Sequence, residues 1–502
     1  MPRFSGPPLK NHRYDVMPSL AARATSAAWW STLEILARYG VQFLVMVVLA
    51  RLLTPGDFGL IAMLLVFTSI GTLLVDSGFG AALIQRQHTT VDDETTVFIF
   101  TLCIGIVTAG ILVLTAPAIA AFFNQPKLVD LTRVMALVLP LGAFAAVPDA
   151  LLTMRLNFKA RARAEVVASL CSGAVAVILA LRGFGVWSLA WQSIVSIGVR
   201  GLLLWVYSGW RPQGRYRGTS FRSLFGFGGY MLLTGLLNAA AGRLQSLWIG
   251  KLFDASTLGL YTIAQNTQQA PASLIDGILK RVGLPVFSTI AQDQAKLRSA
   301  FRTSLRMVMF LFFPCMVGIA LVAKPLIELL YGTRWVPAAP ILSILSLSAA
   351  LWPIHVLNLA AIGAQGRSDL LLRVEVVKQL ASIILITASA HWGPIAIAWA
   401  VFVSGFFGVA VNAYYSKKLL GYGALMQLLD QTATFALSLV AAGVGWVILH
   451  WTRPGPIPML GAIAAAAAMY VLLAILTRNA ALSGLLSVVQ TLRNKSKGAA
   501  IL

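Results

Sequence analysis

Apolar runs long enough to cross a bilayer follow one another from residue 24 to residue 477, with little chain between them. A window of about 19 residues marks fourteen such segments: 24–52, 57–84, 95–123, 129–153, 162–182, 185–208, 223–252, 257–284, 301–330, 335–363, 368–390, 393–416, 429–450 and 457–477. In hydrocarbon every backbone polar group must be satisfied internally, so runs of this length fold as helices. The longest polar connections are 209–222, with Arg211, Arg215, Arg217 and Arg222, and 285–300. The chain is 58% hydrophobic and 11% charged. Soluble domains carry about 25% charged residues and stop growing one core near 250–300 residues. The expectation is an all-α polytopic membrane protein of about 14 transmembrane helices.

The +22 net charge fits basic loops on one membrane face and attraction to anionic head groups, with no nucleic-acid partner implied. With the N-terminus in the cytoplasm, roughly 28 Lys and Arg fall on that face and about 8 on the other, which makes both termini cytoplasmic by the positive-inside rule. Residues 1–22 carry Arg3, Lys10 and Arg13 and no apolar run, so no cleavable signal peptide is expected. Cys103, Cys171 and Cys315 lie far apart in apolar stretches and read as small buried thiols.

A repeat divides the chain. Residues Ala50 to Ile61, which include Thr54-Pro55-Gly56-Asp57-Phe58-Gly59, align without gaps on Gly250 to Tyr261, and at the same offset Asp276 falls on Asp76. Pro55 and Gly56 signal a turn, and Asp57 is placed to cap the helix that follows. Farther on, Arg163, Glu165, Val166 and Val167 match Arg373, Glu375, Val376 and Val377, and Gly185 and Trp191 match Gly393 and Trp399. Six helices per half return the chain to its starting side, so the halves are parallel repeats about an axis along the membrane normal. The expected organisation is a cytoplasmic tail (1–23), an N-lobe of six helices (24–208), a basic linker (209–222) and a C-lobe of six helices (223–416). Two extra peripheral helices (417–477) and a cytoplasmic tail (478–502) follow.

No catalytic constellation and no nucleotide-binding motif is present, and His12, His88, His355, His391 and His450 are scattered. The chain offers instead ionisable and amide side chains inside apolar spans. Glu34 and Arg38 are one turn apart, either a self-neutralised pair or a cavity cation with an exchangeable partner. Arg243 has no acid within a turn of its own helix and must face a cavity or an acid elsewhere. Arg200 lies near enough to the cytoplasmic face to snorkel. Gln265, Gln268 and Gln269 share a helical face ahead of Pro271, which favours a kink. Helix–helix hydrogen bonds are the plain reading of these amides, and a hydrated face for sugar hydroxyls is the functional one. Asp76, Asp149 and Asp276, with Lys280 and Arg281 a turn beyond the last, read as interfacial pairs or as a gate. Glu375 and Lys378 form a further i, i+3 pair.

The stretch Ala50-Arg51-Leu52-Leu53-Thr54-Pro55-Gly56-Asp57-Phe58-Gly59-Leu60, then Asp76 through Gly78, Gly80 and Ala81 to Gln85-Arg86, resembles the Wzx-type polysaccharide flippases, in particular the branch labelled lipopolysaccharide or exopolysaccharide biosynthesis proteins. Ala116-Pro117, Ala121-Phe122-Phe123 and Trp335 through Leu342 carry the likeness further. It covers the first twelve helices and is most specific in the first 90 residues. The resemblance implies two six-helix lobes around a cationic cavity, as in the multidrug/oligosaccharidyl-lipid/polysaccharide exporter superfamily. It also implies transport of undecaprenyl-pyrophosphate-linked glycan across the bacterial inner membrane without a cofactor. Arg38 and Arg243, then Arg200, Lys280 and Arg281, are the positions matched to pyrophosphate, with Glu34 and Asp76 as ion-coupling carboxylates. A polysaccharide polymerase and chain-length or export machinery are the implied partners, besides membrane lipids. A multidrug antiporter and a peptidoglycan-precursor flippase are the rival transporters. A polymerase or ligase would need a large periplasmic loop, and no such loop exceeds about ten residues.

Overall fold

The computed structural model describes residues 40–76, 79–85, 89–218, 235–236, 239, 241–452 and 455–485. Those residues are helical with no strand. In chain order the helices are α1 (Gly40–Leu52), α2 (Pro55–Asp76), α3 (Phe79–Gln85), α4 (Val91–Phe123), α5 (Leu128–Met135), α6 (Val138–Met154), α7 (Phe158–Leu181) and α8 (Val186–Ser208). The second group is α9 (241–252), α10 (Ala255–Thr289), α11 (Gln294–Leu321), α12 (Ala323–Tyr331), α13 (Ala339–Ala349), α14 (Trp352–Ala364), α15 (Ser368–Ser389) and α16 (Pro394–Leu420). A short α17 (Ala424–Leu429) leads to α18 (Thr432–Trp451) and α19 (Pro456–Leu476).

Among the described residues, ten helical stretches are long and apolar enough to cross a membrane. The other four expected segments are accounted for differently. One is described only from Gly40, and another only at 235–236, 239 and from 241. The other two, α10 and α15, are long but interrupt their apolar character with the Gln265–Gln269 belt and with Arg373, Glu375 and Lys378.

Helix contacts segregate into two groups, α2 with α4, α6 and α8 in the first and α10 with α13, α14 and α16 in the second. They meet chiefly where α2 crosses α10, the two copies of the repeated motif. The crossing is reciprocal. A Cβ on Gly59 would lie 1.7 Å from the Ala255 carbonyl oxygen, and one on Gly259 would lie 1.8 Å from that of Pro55. Positions 55 and 255, and 59 and 259, are matched in the repeat, so a local two-fold axis runs through this contact. Glycine at both points lets the two backbones touch. The principal core surrounds it, with Met63, Leu258, Tyr261, Ile327, Tyr331 and Trp335 buried. Trp335 donates from Nε1 to the Ala50 carbonyl at 2.8 Å and meets the Phe58 ring edge-on at 5.3 Å.

Capping differs from the sequence reading in one detail. Thr54, not Asp57, is the cap of α2; Asp57 reaches back from the third position to accept from the Thr54 N–H at 2.9 Å and its hydroxyl at 2.7 Å. In α10 the pair is reversed: Asp254 caps and accepts from the Thr257 N–H at 3.0 Å. Thr-x-x-Asp and Asp-x-x-Thr thus start equivalent helices, since either order satisfies orphan N–H groups.

The described part of the inter-lobe linker is pinned to the start of α4. Gly214 N–H donates to Thr95 Oγ1, Arg217 N–H to Thr96 Oγ1, and the Arg217 guanidinium pairs with Asp92 at 2.6 Å. At the other end of the chain, α18 packs on α11 and α19, and α19 touches α12. Asp430 anchors this appendage through Arg302, Arg306 and the Tyr422 hydroxyl.

Candidate functional site

Among the described residues, three groups of polar side chains bear on the expected site. The first joins α9 and α10. Arg243 is half-buried on α9, and no acid among the described residues pairs with it. On the same helix Gln245 accepts from the Gln265 amide of α10 at 3.4 Å. Of the three glutamines expected on one face, Gln265 is half-buried, Gln268 buried and Gln269 exposed. The intervening Thr267 shares a 2.8 Å hydrogen bond with the Tyr331 hydroxyl. The helix continues through Pro271 to Thr289. A guanidinium with no acid partner among the described residues offers five donors in a planar fork suited to phosphate, and neighbouring amides offer both donors and acceptors to hydroxyls.

The second group is an ion network in the first lobe. Arg200 of α8 donates to Glu165 at 2.9 Å and to Asp149 at 3.1 Å, and Arg161 holds Asp149 at 2.8 Å. Two cations and two carboxylates balance, so Arg200 in this arrangement reaches a phosphate only by leaving both acids. Asp76, exposed at the last residue of α2, lies within the field of Asp149 and Arg200. Neither Glu165 nor Asp149 stands out in sequence as an Arg200 partner, because α7 and α6 bring them to α8 only by packing.

The third group lies in the second lobe. Glu375 and Lys378 pair at 2.9 Å on α15, and Asn412 of α16 hydrogen-bonds His355 Nδ1 at 3.0 Å. Asp276 accepts from the Trp352 indole N–H at 3.3 Å. Glu34 and Arg38 lie outside the described residues, as do the side chains of Lys280 and Arg281. No group of His, Cys, Asp or Glu with metal-ligating geometry occurs among the described residues.

A two-lobe helical bundle with ionisable groups inside membrane-length spans is the frame of a polytopic membrane protein. Among solved structures, lipid II flippase MurJ in an inward closed conformation superposes with a TM-score of 0.72 at 15% identity, over 91% of this chain and 98% of that one. An inward-facing multidrug resistance MATE family transporter of the MOP superfamily gives 0.59 at 15% identity, over 80% and 96%. At such identities the likeness is one of fold.

The chain belongs to the polysaccharide biosynthesis protein family, whose model matches residues 48–340, more than half its length. It is 25% identical over 468 residues to the teichuronic acid biosynthesis protein TuaB of Bacillus subtilis (strain 168), covering 91% of this chain and 96% of TuaB. It is 26% identical to the lipopolysaccharide biosynthesis protein WzxC of Escherichia coli (strain K12), covering 86% and 88%. The succinoglycan biosynthesis transport protein ExoT of Rhizobium meliloti (strain 1021) is 28% identical, over 66% and 67%. The chain is thus a multi-pass member of the polysaccharide biosynthesis protein family with the fold seen in the MurJ and MATE structures.

Proposed function

We propose that the protein turns undecaprenyl-pyrophosphate-linked oligosaccharide repeat units from the cytoplasmic to the periplasmic leaflet of the bacterial inner membrane, for O-antigen, capsule or exopolysaccharide assembly. The observation that carries this reading is a flippase fold combined with relatives named for polysaccharide biosynthesis and transport. The physical need is clear: a glycan with a doubly charged head group cannot cross about 30 Å of hydrocarbon unaided. Two lobes rocking about their crossing pass the polar head through their interface while the lipid tail stays in the bilayer. Arg243 is the pyrophosphate contact in this scheme, with Gln265, Gln268 and Gln269 on the glycan and Arg38 and Arg200 as further cations. Glu34, Asp76, Asp276, Lys280 and Arg281 serve gating or ion coupling. Both termini are cytoplasmic, and a polysaccharide polymerase and chain-length machinery receive the product.

Deleting the gene and extracting lipids tests the reading. Lipid-linked repeat units are expected to accumulate on the cytoplasmic leaflet while surface polymer is lost. Normal surface polymer in the deletion strain overturns it. Accumulated peptidoglycan precursor instead identifies the rival cargo suggested by the likeness to MurJ.

A further inference from the structure

Resting on the transport reading above, we propose that Arg51 and Lys251 form a two-sided latch that holds the lobes shut where the α1–α2 and α9–α10 turns meet. The two residues occupy matched positions of the repeat, in the last turns of α1 and α9. Each reaches across to the opposite lobe. Arg51 donates from Nε to the Leu330 carbonyl at 2.8 Å and from Nη2 to that of Leu329. Both carbonyls lie in the last turn of α12. Lys251 donates from Nζ to the Phe122 carbonyl at 2.6 Å, in the last turn of α4, and sits 4.5 Å from the centre of the Phe122 ring.

The acceptors explain why cations occupy these places. Carbonyls in the last turn of a helix have no intrahelical donor, and the C-terminal end carries the negative pole of the helix dipole. A Lys or Arg from the facing lobe satisfies both demands at once. Neither bond involves a carboxylate. Opening the crossing therefore leaves no buried acid unpaired, and since Arg51 and Phe122 are exposed, water can replace each partner as the lobes separate. A buried salt bridge would resist such cycling far more strongly.

The glycine contacts supply the fit, and the two cations add to the Trp335–Ala50 bond the hold that comes from both lobes. Gly59 and Gly259 allow the backbones to touch without bonding across the interface, whereas Arg51 and Lys251 do bond. Because one latch springs from each lobe, the end opens only when both have released. By the distribution of basic residues, this is the periplasmic end.

The experiment uses the full chain in lipid nanodiscs, with Cys103, Cys171 and Cys315 replaced by serine and spin labels at Gly56→Cys and Ser256→Cys. Pulsed electron paramagnetic resonance reads the distance between the two turns. The parent is expected to give one short distance. The Arg51→Ala/Lys251→Ala double variant is expected to raise a longer-distance population at least tenfold, and Arg51→Lys/Lys251→Arg to restore the short one. A parent-like distribution in the double alanine variant overturns the latch, as does an equal shift in the conservative variant. Should the double alanine variant not fold, each single alanine variant decides, with an intermediate population expected and a parent-like one refuting. Surface polymer in the deletion strain is scored separately. Normal polymer there removes the cargo reading and leaves the distance result standing; unmoved distances remove the latch and leave the cargo reading standing.

Discussion

Gly59→Ala tests the α2–α10 crossing directly. The added Cβ would sit 1.7 Å from the Ala255 carbonyl oxygen, whereas real Cβ contacts essentially never fall below 3.0 Å. The helices must therefore part by at least about 1.3 Å. The obstacle is backbone at the start of α10, which no rotamer change relieves. Overpacking a well-fitted core costs about 1–3 kcal/mol, and a backbone obstacle puts this change at the upper end. A cost of about 2–3 kcal/mol corresponds to roughly a 30- to 150-fold shift away from the closed crossing. Gly56→Ala, three residues earlier, is the internal control, since its Cβ would meet only Thr54 Oγ1 at 3.7 Å. That change is expected to be neutral or to stabilise by up to about 1 kcal/mol through the unfolded chain. Gly259→Ala attacks the same contact from the other side, at 1.8 Å from the Pro55 oxygen. Once one alanine has parted the helices, the second meets less resistance, so the double variant is expected to cost clearly less than the sum of the singles. Thermal unfolding midpoints of the purified protein measure all four. A Gly59→Ala midpoint equal to that of the parent, or a Gly56→Ala variant equally damaged, refutes the crossing as described, and strict additivity refutes its two-fold character.

The remaining predictions concern charges. Arg243→Ala is expected to abolish surface polymer while protein level and unfolding midpoint hold, because a half-buried cation with no acid partner among the described residues contributes little to folding; normal polymer with that variant removes Arg243 from the site. At the appendage, burial pushes the Asp430 carboxyl up, but hydrogen bonds from Arg302, Tyr422 and Arg306 outweigh it and hold the group at about 2. A carboxylate depressed below its unfolded value of about 3.9 stabilises fully above that value and loses its contribution as pH falls through 2. Asp430→Asn is therefore expected to lower stability by about 1 kcal/mol at pH 7, since the half-exposed Arg302 is screened by water, with the gap from the parent closing between about pH 4 and pH 2. Unfolding curves at pH 7 and pH 3 check it, and a gap that widens on acidification contradicts the assignment.

Much of the architecture was legible because apolar length and the offset of 200 are properties of the chain itself. The repeat brought Asp276 onto Asp76 and set α2 against α10 as equivalents. The breaks inside spans were not legible. Segments 129–153, 301–330 and 335–363 read as single runs, yet divide at α5/α6, α11/α12 and α13/α14. Apolar character continues across each break, so hydropathy carries no mark of it. Arg51 and Lys251 stood in plain view inside the motif, matched in position and charge, but their acceptors are backbone carbonyls far along the chain. Only packing reveals a carbonyl as a partner, since every residue has one. Arg200 illustrates the same limit: its place near the end of α8 reads as a snorkelling cation, and the fold instead supplies Glu165 and Asp149.

Where the repeat is kept and where it is broken separates two kinds of work. Glycines 59 and 259, the swapped Thr/Asp caps and the cations at 51 and 251 are preserved in shape or charge, and all lie at the crossing. A joint that two lobes close from both sides needs matched surfaces, because a misfit on either side holds the other open. Away from the joint the match is only partial. By the offset of Gly185 and Trp191 onto Gly393 and Trp399, Arg200 corresponds to Gly408. There a Cβ would lie 2.7 Å from His355 Cε1, so the second lobe fills with an imidazole the space that the first gives to a guanidinium. Its acid Glu375 then turns to Lys378 on its own helix, whereas Glu165 is held from α8. A lipid-linked glycan has a charged end and a neutral end, and two identical inner faces would not tell them apart. On the proposed function, the unmatched interior is the part of the molecule that reads the cargo, and the matched crossing is the part that moves it.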